Sequence, residues 1–227
     1  MNLTNDQKSL LVRVLNVFET GKPDGDYGAI AIFNDGPHDI RQITYGRSQT
    51  TEYGNLRELV HGYMAANGTF SQVIRPFAER IGSVPLTDNA EFKALLRRAG
   101  REDLVMRRMQ DRFFDKRYFR PAMRWAEENG FRLPLSALVI YDSFIHSGSI
   151  LGPFRAMFAE SPPANNGDEK AWTKAYVNAR HRWLGNHPRK IVRRTVYRTA
   201  CFKREIAREN WDLARTPINA KGVRVFP

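Results

Sequence analysis

The chain has 227 residues, of which 42% are hydrophobic and 26% charged, a size and balance that fit one globular domain or two tightly joined lobes with a sizeable core. Its formal net charge of +12 implies attraction to polyanions such as nucleic acid, anionic membrane or cell-wall polymer. A lone cysteine, Cys201, excludes an internal disulfide, and no apolar stretch reaches the roughly 20 residues that span a bilayer.

The first residues, Met1 to Asp6, show neither a basic region nor an apolar core of a signal peptide. The expectation is therefore export by a non-classical route or by lysis, with action on an extracellular or periplasmic polymer. An amphipathic helix is predicted from Asn5 to Glu19, capped by Thr4 or Asn5. It ends on Glu19 followed by Thr20-Gly21, where a negative charge opposes the helix dipole. Strands at Ala29 to Phe33 and Ile40 to Tyr45 bracket Asn34-Asp35-Gly36-Pro37-His38, a hairpin by turn chemistry. A carboxylic acid at the end of an apolar helix, opposite a carboxylate on a hairpin, is a glycosidase arrangement. One group stays protonated to donate to the leaving oxygen, and the other stays ionised to activate water. The residues alone leave the base open among Asp35, Asp39 and Glu52. Asp35-Gly36 also reads as a plain turn, and Gln49 to Glu52 as a helix cap with an acidic first turn.

From Asn55 onward the pattern is helical, with breaks at Asn67-Gly68, Gly82 to Pro85, Gly100, Asn129-Gly130, Ser161 to Gly167 and Gly185 to Pro188. The segment Leu135 to His146 is almost entirely apolar and predicts a central buried helix. Asp142 and His146 are its only strongly polar side chains, His146 reading as a helix-end residue. A buried carboxylate needs a partner, and the candidates are arginines of the two last long helices, Ala171 to Leu184 and Ile191 to Leu213. Cys201 reads as a buried apolar filler. The tail after Trp211, with Pro217, Gly222 and Pro227, is expected to run irregularly. Tyr45, Tyr53 and Tyr63 fit either stacking on sugar rings or core packing. His38, His146 and His181 are too dispersed for a metal site, and no metal or other cofactor is expected. No zinc spacing, RNA-binding aromatic motif or basic zipper accompanies the positive charge, so a nucleic-acid partner is not favoured.

Several stretches resemble the chitosanases of glycoside hydrolase family 46, within the lysozyme superfamily. Asp115-Lys116-Arg117-Tyr118-Phe119-Arg120-Pro121-Ala122, continuing to Ala126, Gly130 and Leu135, and the later Tyr141-Asp142 are similar to that family's Tyr-Phe-x-Pro-Ala segment and its Tyr-Asp pair. Asp39-x-Arg41-x-x-Thr44-x-Gly46 resembles its Asp-x-Arg-x-Tyr-Thr-x-Gly stretch, with Ile43 where Tyr is usual. Gly54 to Val60 resembles the helix start that follows, and Asn178-Ala179-Arg180 and Arg194 two late positions. The likeness is thin between Gly68 and Glu102.

The resemblance implies Glu19 as general acid and Asp39 as general base, with Thr44 helping to hold the attacking water. Arg41 would bind sugar or steady Asp39, and Asp142, Arg180 and Arg194 would form a buried network orienting Glu19. On residue chemistry alone, Tyr45 and Asn55 are placed with Arg41 as substrate-binding candidates. Asn55 stands where the family carries an acid that recognises an amino group of chitosan, and the segment from Gly46 to Gly54 matches poorly. With the +12 charge, these departures favour peptidoglycan, a carboxylate-bearing relative of chitosan, over chitosan itself. The expected fold is mainly α, lysozyme-like α+β, a single two-lobed catalytic domain over 1–227 with a small β-hairpin lining a cleft. The expected function is inverting endo-hydrolysis of β-1,4 bonds in an amino-sugar polymer by a monomer. The alternatives are a true chitosanase and, in another class, a non-enzymatic polyanion-binding protein.

Overall fold

Helix α1 (Asn5–Thr20) starts with a reciprocal cap. The Thr4 hydroxyl accepts from the Gln7 amide, and the Gln7 side chain accepts from the Thr4 amide, so two end donors are satisfied at once. It stops at Gly21, whose left-handed φ of 77° closes the last turn onto the Val17 carbonyl. Leu10, Leu11, Val14, Leu15, Val17 and Phe18 are buried. The computed structural model describes residues 1–47 and 49–227, and within it the chain forms two units. One joins Met1–Pro23 to Lys116–Pro227; the other is Asp24–Asp115. As expected, the fold is mainly α with a small sheet.

The 24–115 unit holds the antiparallel strands β1 (Ile30–Asn34), β2 (Arg41–Tyr45) and β3 (Thr50–Thr51), in that order. Ile32 stands opposite Ile43, and Thr44 opposite Thr51. Between β1 and β2, Pro37–Asp39 forms a 3-10 turn, so Asp39 lies before the strand that sequence patterning extended to Ile40. Helices α2 (Leu56–Ala65), α3 (Ser71–Ala78), α4 (Ala90–Glu102) and α5 (Leu104–Phe114) complete the unit. Ile43, Tyr45, Leu59, Tyr63, Phe92, Leu96 and Met106 share its core.

Glu52 is 1% exposed and holds the edge of this core. One carboxylate oxygen accepts from the Ile43 amide at 3.0 Å and the other from the Leu86 amide at 2.7 Å. It therefore ties β2 to the segment before α4, which corrects both its reading as a helix cap and its candidacy as a catalytic base. Tyr45, expected at the substrate, is likewise a core residue with no exposure, its hydroxyl donating to the Leu96 carbonyl at 2.7 Å.

In the other unit, α6 (Arg120–Glu128) packs against α7 (Pro134–Ser147). Every residue of α7 from Pro134 to Phe144 is buried, because α1, α6, α9 (Glu169–Asn186) and α11 (Tyr197–Ala207) all contact it. The short α8 (Gly152–Arg155) leads into α9. The helix expected over Ile191 to Leu213 is broken into α10 (Lys190–Arg193), a 3-10 turn Arg194–Val196, and α11. The tail is not irregular: β4 (Ile218–Ala220) and β5 (Val223–Val225) pair across Lys221-Gly222 and pack against α1. Both loop residues have positive φ, 50° and 90°, as a two-residue hairpin turn demands.

Removing the Glu52 carboxylate strands two backbone donors that water cannot reach, each worth about 1–3 kcal/mol. Glu52→Ala is expected to lower the unfolding free energy by roughly 2–5 kcal/mol, read as a fall in the urea midpoint. A midpoint within error of the wild type would contradict the tie.

Candidate active site

Asp142 sits on α7 with no solvent exposure. Two guanidiniums neutralise it: Arg180 of α9 donates to Oδ2 at 2.6 Å, and Arg198 of α11 donates to Oδ1 at 2.6 Å. Burial pushes the Asp142 carboxyl up, yet Arg198 and Arg180 hold it below the usual carboxylate range. Arg198 then uses its other amino group, Nη2, to donate to Oε1 of Glu19. Desolvation opposes the charge on Arg198, and Glu19 and Asp142 more than offset it, raising its pKa. One planar fork thus links the buried carboxylate to the acid at the end of α1, geometry an ammonium cannot supply.

The end of α1 is fixed from the same side. Tyr197 donates its hydroxyl to the Phe18 carbonyl at 2.8 Å, and the Phe18 ring packs edge-on against Tyr197 and Phe202, with centroids 5.6 and 5.9 Å away. Glu19 retains 14% side-chain exposure, so its carboxyl is held and still reachable.

Asp142 and Arg180 meet as the sequence indicated, but Arg194 does not join them. It is exposed in the 3-10 turn, and Arg198, four residues on, takes the expected place. Residues one turn apart share a periodicity, so only the break between α10 and α11 separates them.

His146 lies one turn beyond Asp142 on α7, with Nδ1 buried and without a partner among the described residues. Burial, then the Arg198 and Arg180 charges, push its imidazole down to about 3. The Cys201 thiol is buried and raised to about 12, chiefly by desolvation, in keeping with a packing role.

In the 24–115 unit, Asp39 is exposed at the end of the 3-10 turn. His38 and Asp39 both adopt left-handed backbone, with φ of 55° and 59°. Two successive non-glycine residues there carry strain of order 1 kcal/mol each. Asp35 is exposed too, but accepts from Gln42 Nε2 at 2.9 Å, which makes it a hairpin brace. Arg41 makes a surface pair with Asp88 at 3.5 Å. Thr44 is 4% exposed on β2, and its hydroxyl oxygen is buried without a hydrogen-bond partner among the described residues. Asn55 precedes α2 without capping it through its side chain. Among the described residues, no group of three or more His, Cys, Asp or Glu is placed to hold a metal, and no helix is long and apolar enough to cross a membrane.

The low imidazole pKa sets a sign for stability against pH. Between about pH 6.5 and 3, an unfolded chain binds a proton at His146 that the fold excludes, so stability falls as pH drops through that window. Asp142 acts lower, its contribution being lost only as pH falls through its depressed folded value. Thermal unfolding from pH 7 to 4 is expected to show a shallower loss of Tm in His146→Gln than in the wild type. Parallel slopes would contradict a buried neutral His146.

The chain matches the model of glycosyl hydrolase family 46 over residues 13–218. It is 27% identical over 235 residues to a chitosanase of Bacillus subtilis strain 168, covering 96% of this chain and 83% of that protein. Its fold superimposes on native chitosanase from Bacillus subtilis MY002 with a TM-score of 0.84, at 24% identity and with both chains fully covered. A Gynuella sunshinyii family-46 chitosanase in complex with chitotetraose gives the same TM-score and identity, covering 99% of this chain and 98% of the other.

Proposed function

The chain belongs to glycosyl hydrolase family 46, and on that premise we propose that this glycoside hydrolase cleaves internal β-1,4 bonds of a chitosan-type amino-sugar polymer by inversion. The observation that carries the reading is the Asp142–Arg198–Glu19 connection, which anchors an accessible carboxyl to a buried charge network. Family membership sets aside the non-enzymatic polyanion-binding alternative. The preference for peptidoglycan expected from the net charge and Asn55 gains no support from the relatives, whose names carry chitosanase.

In this reading Glu19 donates its proton to the leaving glycosidic oxygen as the bond to the anomeric carbon breaks. Arg198 orients its carboxyl, and stabilises the carboxylate left behind. Asp39 takes a proton from the water that attacks the opposite face of the sugar. Thr44, whose buried hydroxyl has no hydrogen-bond partner among the described residues, helps hold that water. The inverting route asks for room between the two carboxyl groups, roughly 6.5–9.5 Å. The left-handed backbone at Asp39 fits a side chain retained for chemistry against local preference.

Reducing-end release and product anomer by NMR test the reading together. Wild type should release the inverted anomer from chitosan oligomers. Glu19→Gln and Asp39→Asn should each lower kcat by about 10²–10⁴ without loss of folded-state signal. Asp39→Gly should be as inactive yet no less stable, because glycine relieves the left-handed φ. Retained activity in Glu19→Gln, or a retained anomer, would overturn it.

A further inference from the structure

Helix α1 reaches Glu19 with no basic residue in its last turn, and the Phe18 carbonyl is one of the end acceptors that lack an intrahelical donor. The Tyr197 hydroxyl supplies that donor from α11. The backbone of the acid is therefore only as fixed as the phenol beside it. Tyr197 is half-buried, so packing alone does not enclose its ring.

The terminal hairpin supplies what packing leaves out. Ile218, Ala220 and Val225 are fully buried, with β4 against α1 and α11, and β5 against α1. Its loop is braced: Asn219 Oδ1 accepts from the Gly222 amide at 2.8 Å, and the Asn219 carbonyl accepts from Arg204 of α11 at 2.7 Å. From this loop Lys221 lays its ammonium over the Tyr197 ring, 4.7 Å from the centroid, within the range of cation–π attraction. It forms no ion pair with a carboxylate among the described residues. The backbone makes this lysine a costly choice. Its φ of 50° is left-handed, and the first place of such a two-residue loop favours asparagine, aspartate or glycine. A lysine kept there against local preference points to work done by its side chain.

We infer that Lys221 is a positioning residue for the general acid. Its ammonium holds the Tyr197 ring, so that the hydroxyl keeps the Phe18 carbonyl, and Glu19 next to it, in place against Arg198. The same contact steadies the residue that precedes Arg198, so both sides of the Arg198–Glu19 pair are served. The inference rests on the reading of Glu19 as the acid, and Lys221 acts only through Tyr197.

The test is kcat and KM by reducing-end release on chitosan oligomers for wild type, K221G, K221R, Y197F and K221G/Y197F, with thermal unfolding of each. Glycine accepts the left-handed φ, so K221G should keep or raise Tm. It should nonetheless lose about two- to fivefold in kcat, the scale of an exposed cation–π contact, with KM unchanged. K221R keeps a cation over the ring and should retain most of the wild-type rate. Y197F removes the hydroxyl and should lower kcat about three- to tenfold, and K221G should then cost nothing more. A wild-type kcat in K221G, a loss confined to KM, or the same loss in the Y197F background would overturn the inference and leave the glycosidase reading intact. A kcat loss that K221R does not restore and that comes with a fall in Tm would also overturn it, assigning Lys221 to the fold alone. A wild type that releases no reducing ends would overturn both.

Discussion

A carboxylate with no access to water, at the centre of the most apolar helix, constrains everything around it. Asp142 can remain charged only because two guanidiniums reach it from separate helices, Arg180 on α9 and Arg198 on α11. Removing either side of such a pair strands a buried charge, at a cost of about 3–5 kcal/mol, whereas the intact pair adds little net stability. Its value is positional. With one amino group of Arg198 committed to Asp142, the other is directed at Glu19. The Tyr197 hydroxyl fixes the backbone of the preceding residue. A structural necessity of the core thus becomes the rigid mount of a reactive side chain.

Burial also decides which of the remaining titratable groups can take part. Glu52 carries a charge into the 24–115 core, but both of its oxygens are taken by backbone amides, leaving nothing for a substrate proton. Asp35 is braced by Gln42. Asp39 differs from both in being exposed and in occupying a backbone conformation that costs free energy. The same separation of roles holds among the arginines. Those on Asp142 are shielded and fixed, whereas Arg194 and Lys190 are exposed to solvent.

How much of this was legible in sequence follows from which signals are local. The need for arginines around Asp142 was readable, because a lone carboxylate in an apolar helical run has few solutions. Glu19 at the end of α1 was readable for a related reason, since its charge opposes the helix dipole. Which arginine of the last helices reached Asp142 was not. Arg194 and Arg198 lie four residues apart, and periodicity cannot choose between them without knowing that a 3-10 turn shifts the register. The fates of Tyr45 and Glu52 depended on packing against α4 and the segment before it, contacts remote in sequence. The terminal hairpin had one usable signal, Lys221-Gly222, but strands of three residues carry too little alternation to announce themselves.

The central claim is that Arg198 acts through Glu19, and coupling in the rates tests it most directly. Single-turnover cleavage of a chitosan oligomer would be followed for Arg198→Lys in the wild-type and Glu19→Gln backgrounds. A lysine keeps the charge and loses the fork. The account predicts a fall of about 10–100-fold in the wild-type background and no further loss once Glu19 is replaced, the signature of residues acting as a unit. The same factor lost in both backgrounds would show that Arg198 serves the enzyme independently of Glu19, and the account would fail.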